Sequence, residues 1–113
     1  MIKIYGIKNC DSVKKALKFF KSHDLEYILF DYKKEHLPCE KISQWLEQTN
    51  MKTLFNAKST TYRNLKLKEL NLDENGQKNW LCKENLLIKR PVVQYNGKII
   101  VGFNEAHYER SFL

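Results

Sequence analysis

Ile2-Lys3-Ile4-Tyr5-Gly6-Ile7-Lys8-Asn9-Cys10-Asp11-Ser12-Val13 reads as a strand, a loop and the opening of a helix, with a cysteine at the junction. Ile2, Ile4 and Tyr5 supply a short buried strand that ends at Gly6. Asp11 and Ser12 are both capping residue types, so the helix is expected to begin near them. Val13, Ala16, Leu17 and Phe20 then follow the i, i+3, i+4, i+7 rule, while Lys14, Lys15, Lys18 and Lys21 mark the wet side. Residues 26–32, mostly apolar, form the second strand.

The other end of the chain carries a different signal. Val92-Val93-Gln94-Tyr95 and Lys98-Ile99-Ile100-Val101 flank Asn96-Gly97, the pair that supplies both positive φ values of a type I′ hairpin turn. A closing helix is expected from about Asn104 to Ser111. Between the two ends the chain is helix-like. Pro38 precedes a helix with Ile42, Trp45 and Leu46 on its inner stripe, and a short helical region starts near Met51. A further helix opens at Thr60, and Asn75-Gly76 marks a break. Leu70, Leu72, Trp80 and Leu81 are the candidate core of this middle third. A parallel βα start with an antiparallel hairpin at the end makes a small mixed sheet covered by helices, an α/β fold.

At 113 residues the chain fits one domain. Its apolar runs are only a few residues long, well short of a membrane span, and its first residues lack the pattern of a signal peptide. No membrane association is expected. The formal charge is +7, from 20 Lys+Arg against 13 Asp+Glu. Of the basic residues 17 are Lys, accompanied by ten Asn, a balance that an AT-rich genome produces without selection for nucleic-acid binding. Each of the three Arg is correspondingly more informative. Cys10, Cys39 and Cys82 are too few and too widely spaced for a disulfide scaffold, and no Cys/His cluster has zinc-ligand spacing. A cytoplasmic location, where thiols stay reduced, is expected, with no metal and no bound cofactor.

Cys10 is the first candidate for chemistry. Unpaired amides and the dipole at a helix start hold an anion, which is how a thiol becomes a nucleophilic thiolate. Lys8, Lys14 and Lys15 add positive charge. A small residue packed under the sheet is the plain alternative for Cys10, and it is the reading kept for Cys39 and Cys82. Arg90-Pro91 is the second candidate. A cis peptide there would fix the direction of Arg90, whose planar fork binds oxyanions and carboxylates in a bidentate manner. The third is residues 56–63, where Lys58 and Arg63 stand at the mouth of a helix, an arrangement suited to anion capture. His23, His36 and His107 are scattered and receive no role.

Several segments, in order and spacing, resemble the ArsC/Spx family of thioredoxin-like proteins, most nearly its YffB-type branch. They are residues 6–16 with Cys10, Asp31-Tyr32-Lys33-Lys34, Thr60-Thr61-Tyr62-Arg63, residues 87–93 with Arg90-Pro91, and Val101-Gly102-Phe103. The resemblance implies a thioredoxin-like mixed sheet with a helical insertion, at about residues 38–88, between a βαβ half and a ββα half. It places the nucleophile on Cys10 and the oxyanion-binding Arg on Arg90, with glutathione and glutaredoxin completing the cycle. Two family Arg positions are altered here. Asn56 stands at one, with Lys58 replacing the YffB-type Arg two positions on, and Gly102 stands at the other. Val13 removes the Cys-x-x-Cys pair of redox-switching Spx regulators. The expected activity is therefore a glutathione-dependent thiol reductase, acting on a disulfide, a glutathione adduct or an oxyanion such as arsenate. The alternative is an Spx-like regulator that docks on RNA polymerase without catalysis.

Overall fold

A computed structural model describes residues 1–113. Strand β1 (Ile2–Gly6) leads through a four-residue loop into helix α1 (Asp11–Ser22) and then β2 (Tyr27–Asp31). Helices α2 (Cys39–Leu46), α3 (Met51–Leu54), α4 (Thr60–Asn64) and α5 (Glu74–Lys83) follow, then β3 (Val92–Tyr95), β4 (Lys98–Val101) and α6 (Glu105–Phe112). Two 3-10 turns, Leu67–Leu70 and Asn85–Leu87, lie on either side of α5. The strand order is β2-β1-β3-β4, parallel between β1 and β2 and antiparallel elsewhere. A βαβ half and a ββα half thus share one mixed four-stranded sheet, the thioredoxin-like arrangement. No helix is long and apolar enough to cross a membrane.

The chain forms two compact units, Met1–Lys33 with Arg90–Leu113, and Lys34–Lys89. In the sheet unit, Ile2, Ile4 and Val93 bury one sheet face against Ala16, Phe19 and Phe20 of α1 and Tyr108 of α6. Phe19 takes the buried place expected of Leu17, which lies at the margin of this core. The Tyr108 ring packs edge-on to Phe19 and stacked on Phe20, and its hydroxyl donates to the Gly102 carbonyl at 2.7 Å. The hairpin turns at Asn96 (φ 51°) and Gly97 (φ 76°), as the Asn-Gly pair requires.

In the helical unit, Ile42 and Trp45 of α2, Leu54 of α3 and Leu81 of α5 are buried, together with Leu37, Leu67, Leu87 and Ile88. Two expectations fail here. Asn75-Gly76 does not break the helix, because the Asp73 carboxylate accepts the Gly76 N–H at 2.8 Å and caps α5 one residue ahead of its start. The break falls earlier, at left-handed Asn71 (φ 47°). Leu70 is 54% exposed rather than core, because it ends a 3-10 turn whose three-residue period does not carry the α-helical stripe forward. Leu72 and Trp80 are half-buried.

Cys39 and Cys82 do not sit as separate packed thiols: they form a disulfide, with Cα atoms 4.9 Å apart. Packing of α2 against α5 brings the first residue of one helix beside the last turn of the other. That proximity is tertiary, and the 43-residue separation hides it from any local pattern.

Candidate active site

Cys10 is itself the N-cap of α1, the place that Asp11 or Ser12 was expected to hold. Its backbone is extended (φ −145°, ψ 125°), and its carbonyl accepts the Lys14 N–H at 2.9 Å. The residue is half-buried, and its side chain makes no cap hydrogen bond. The first-turn amides of α1 are therefore free of any side-chain acceptor at the residue that bears the thiol, and Asp11 is the one acidic residue in that turn. Lys8 is exposed in the same loop.

Gly6 sets the height of that loop. A Cβ on it would stand 2.7 Å from Cγ2 of Val13 and 3.9 Å from Cβ of Arg90. The bare glycine therefore lets α1 and the Arg90 segment close on the end of β1. Gly6→Ala is expected to lower stability by about 1–3 kcal/mol, read by thermal unfolding. Adding Val13→Ala, which removes the clashing carbon, should recover part of the loss. A single variant as stable as the parent would show that the end of β1 is loosely packed.

Arg90 is half-exposed, and the Arg90-Pro91 peptide is cis. Pro91 is buried, and its carbonyl accepts the Gly102 N–H at 2.7 Å. Because β1 and β2 run parallel and β3 antiparallel, the ends of β1 and β2 and the start of β3 lie at one edge of the sheet. The fold thereby gathers Cys10, Arg90 and Tyr32 at that edge. Tyr32 follows β2, and its N–H donates to the Gly6 carbonyl at 2.9 Å.

Nothing local in the sequence singled out Tyr32. Its ring meets Phe30 edge-on, and its hydroxyl is buried with no hydrogen-bond partner. An unsatisfied buried hydroxyl is uncommon and points to a ligand or an ordered water. Burial pushes its pKa far above the ordinary tyrosine value, Tyr5 adds to that, and the Arg90 guanidinium opposes it. Tyr32 is thus held neutral, as a donor, within the field of Arg90. The sequence signals were its position just past a strand end and its place in the Asp31-Tyr32-Lys33-Lys34 segment that carries the family resemblance, neither of which shows a buried, unpartnered hydroxyl.

Tyr108 is likewise raised by burial. Unfolded, both tyrosines ionise near about pH 10. Folded, they keep their protons to higher pH, so above about pH 10 the native state binds more protons than the unfolded one. Unfolding free energy is expected to fall there by up to about 1.4 kcal/mol per pH unit for each tyrosine. Urea titrations between about pH 9 and 11 check this, with Tyr108→Phe reducing the slope. A flat profile would mean that neither ring is shielded.

Lys58 and Arg63 belong to the helical unit. Both are exposed, and they are brought together there: Arg63 Nη1 donates to the Lys58 carbonyl at 3.0 Å and Nη2 to Thr60 Oγ1 at 3.3 Å. The helix opens at Thr60 as expected, capped by Ser59, whose hydroxyl accepts the Tyr62 N–H at 3.1 Å. Arg63 therefore braces its own loop. No group of three or more His, Cys, Asp or Glu side chains is placed to hold a metal.

A mixed sheet in the order β2-β1-β3-β4, with a free cysteine capping its first helix, places the chain among the thioredoxin-like α/β proteins. This chain belongs to the ArsC family, whose pattern matches residues 5–111. An uncharacterized protein of Haemophilus influenzae is 42% identical over 113 residues, covering 99% of both chains. The global transcriptional regulator Spx of Staphylococcus aureus is 27% identical, over 97% of this chain and 86% of its own. Among solved structures, the YFFB protein superposes with a TM-score of 0.91 at 31% identity, over 100% of both chains. An arsenate reductase (ArsC) related protein from Brucella melitensis gives 0.75 at 38% identity, over 98% of this chain and 93% of its own.

Proposed function

We propose that the protein is a cytoplasmic, glutathione-dependent thiol reductase with Cys10 as its nucleophile. One observation carries this reading: Cys10, a half-buried free cysteine, caps the N-terminus of α1 on the same sheet edge as Arg90. The Cys10 thiolate attacks a sulfur of a disulfide or glutathione adduct, the S–S bond breaks, and the departing thiolate takes up a proton. The residue left on Cys10 is a mixed disulfide. Val13 occupies the position of a near resolving cysteine, so an external glutathione thiolate attacks the sulfur bound to Cys10 and expels the Cys10 thiolate. It leaves as oxidised glutathione where Cys10 carried glutathione, and as a substrate–glutathione disulfide where Cys10 carried a substrate sulfur. Glutaredoxin is a candidate reductant of that adduct.

Arg90 orients an anionic group of the substrate through its guanidinium fork, with Tyr32 as a neutral donor and Lys8 adding charge. Lys58 and Arg63 are further candidate anion-binding cations. The name of the Brucella relative makes arsenate a candidate oxyanion, although Asn56 and Gly102 stand at the two positions where the family resemblance implies Arg.

Acid quenching during turnover, followed by peptide mapping, is expected to find glutathione on Cys10. Turnover without any adduct on Cys10 would place the chemistry elsewhere. The likeness to Spx favours a second reading, a regulator that binds RNA polymerase without catalysis. Capture of polymerase from lysate by a protein inactive in the glutathione assay would select it.

A further inference from the structure

Cys39 and Cys82 take no part in the chemistry proposed for Cys10. Cys39 is solvent-exposed and Cys82 half-exposed, so a small thiol reaches the bond without unfolding the unit. Cys39 is also the first residue of α2, whose cap, Pro38, offers no side-chain hydrogen bond to the first-turn amides. Negative charge on the Cys39 sulfur is favoured there once the bond opens, against the adverse charge of Glu40 in the same turn.

A second observation concerns what holds the two sulfurs opposite each other. The Asn85 side chain is buried and bonded at both ends: Oδ1 accepts the Leu37 N–H at 2.8 Å, and Nδ2 donates to the Leu81 carbonyl at 3.0 Å. Leu37 is two residues from Cys39, and Leu81 is adjacent to Cys82. Asn85 therefore ties the two cysteine-bearing segments together through groups that do not depend on the S–S bond. Ile42 and Trp45 of α2 and Leu81 of α5, on the same two helices, are buried. The opened dithiol is thus pre-organised to close again.

We propose that Cys39 and Cys82 form a second, reversible dithiol–disulfide site that exchanges with low-molecular-weight thiols and disulfides, with Asn85 as the positioning residue that keeps its sulfurs opposed. In closure, one cysteine thiolate attacks oxidised glutathione, forming a mixed disulfide and expelling one glutathione thiolate. The other cysteine thiolate then attacks the protein sulfur of that mixed disulfide and expels the second. The dithiol loses two electrons, oxidised glutathione gains them, and the two protons end on the released thiols.

The test uses the full chain with Cys10→Ser, so that its result is independent of any Cys10 activity. Reduced protein is equilibrated in buffers of stepped reduced-to-oxidised glutathione ratio, acid-quenched, alkylated with N-ethylmaleimide after denaturation, and weighed intact. The expected result is a shift from two maleimides to none across the series, the same from either direction. Cys39→Ser or Cys82→Ser in that background should instead hold a glutathione on the remaining sulfur. Asn85→Ala should need about tenfold more oxidised glutathione for half closure, with a similar far-ultraviolet spectrum. Two maleimides at every ratio, or a bond that resists excess reductant without denaturant, would overturn the site. An unmoved midpoint in a folded Asn85→Ala would remove the positioning role.

Discussion

Cys10→Ser is expected to lower glutathione-linked turnover by about 10³-fold or more while leaving the protein at least as stable as its parent. A serine hydroxyl forms no mixed disulfide, so the covalent step disappears. Its effect on folding has the opposite sign, because residue 10 caps α1 and its sulfur takes no cap hydrogen bond. Serine is among the favoured N-cap residues, and its oxygen can accept an amide left unpaired by cysteine. Loss of activity with an unchanged or raised melting temperature therefore separates lost chemistry from lost structure. Arg90→Lys keeps the charge and removes the fork. It should reduce kcat/KM for an anionic disulfide by roughly 10- to 150-fold, the equivalent of about 1.5–3 kcal/mol for hydrogen bonds to a charged group. Residual turnover in Cys10→Ser above a few per cent of the parent would end the nucleophile assignment.

The parts of the fold that were legible are those encoded in neighbouring residues. The alternation of Ile2 and Ile4, the stripe through Val13, Ala16 and Phe20, and Asn96-Gly97 each specify backbone shape within a few residues. With the apolar run at residues 26–32, those features give the βαβ start and the terminal hairpin, and hence the mixed sheet. The cysteine at the head of α1 was visible for the same reason, and the helix begins at Asp11 as its capping residues suggest, although the cap itself is Cys10. Tyr32 was not visible, because an unpartnered hydroxyl is a property of everything packed around it. The Cys39–Cys82 bond was hidden likewise, since two cysteines 43 residues apart say nothing of which helices face each other. Leu70 misled because a helix-like stretch rich in leucines does not distinguish an α-helix from a 3-10 turn bounded by left-handed Lys66 and Asn71.

Opening the Cys39–Cys82 bond is expected to lower the melting temperature by about 8–15 °C. The bond closes a loop of 43 residues, and the chain entropy it removes from the unfolded state corresponds to roughly 4 kcal/mol. Native-state strain and residual unfolded structure reduce such figures in practice, so about 2–4 kcal/mol is the expected loss. The helical unit is expected to survive it, because Trp45, Ile42 and Leu81 remain buried and Asn85 still bridges Leu37 and Leu81. Cys10→Ser protein melted with and without reductant gives the shift directly, followed by circular dichroism. The Cys39→Ser/Cys82→Ser double variant should melt where the reduced form does and no longer respond to reductant. Coincident melts in all three conditions would mean that the cross-link adds nothing to the native packing of α2 on α5. A reduced form unfolded at room temperature would mean that the bond, rather than Asn85 and the core beneath it, holds those helices together.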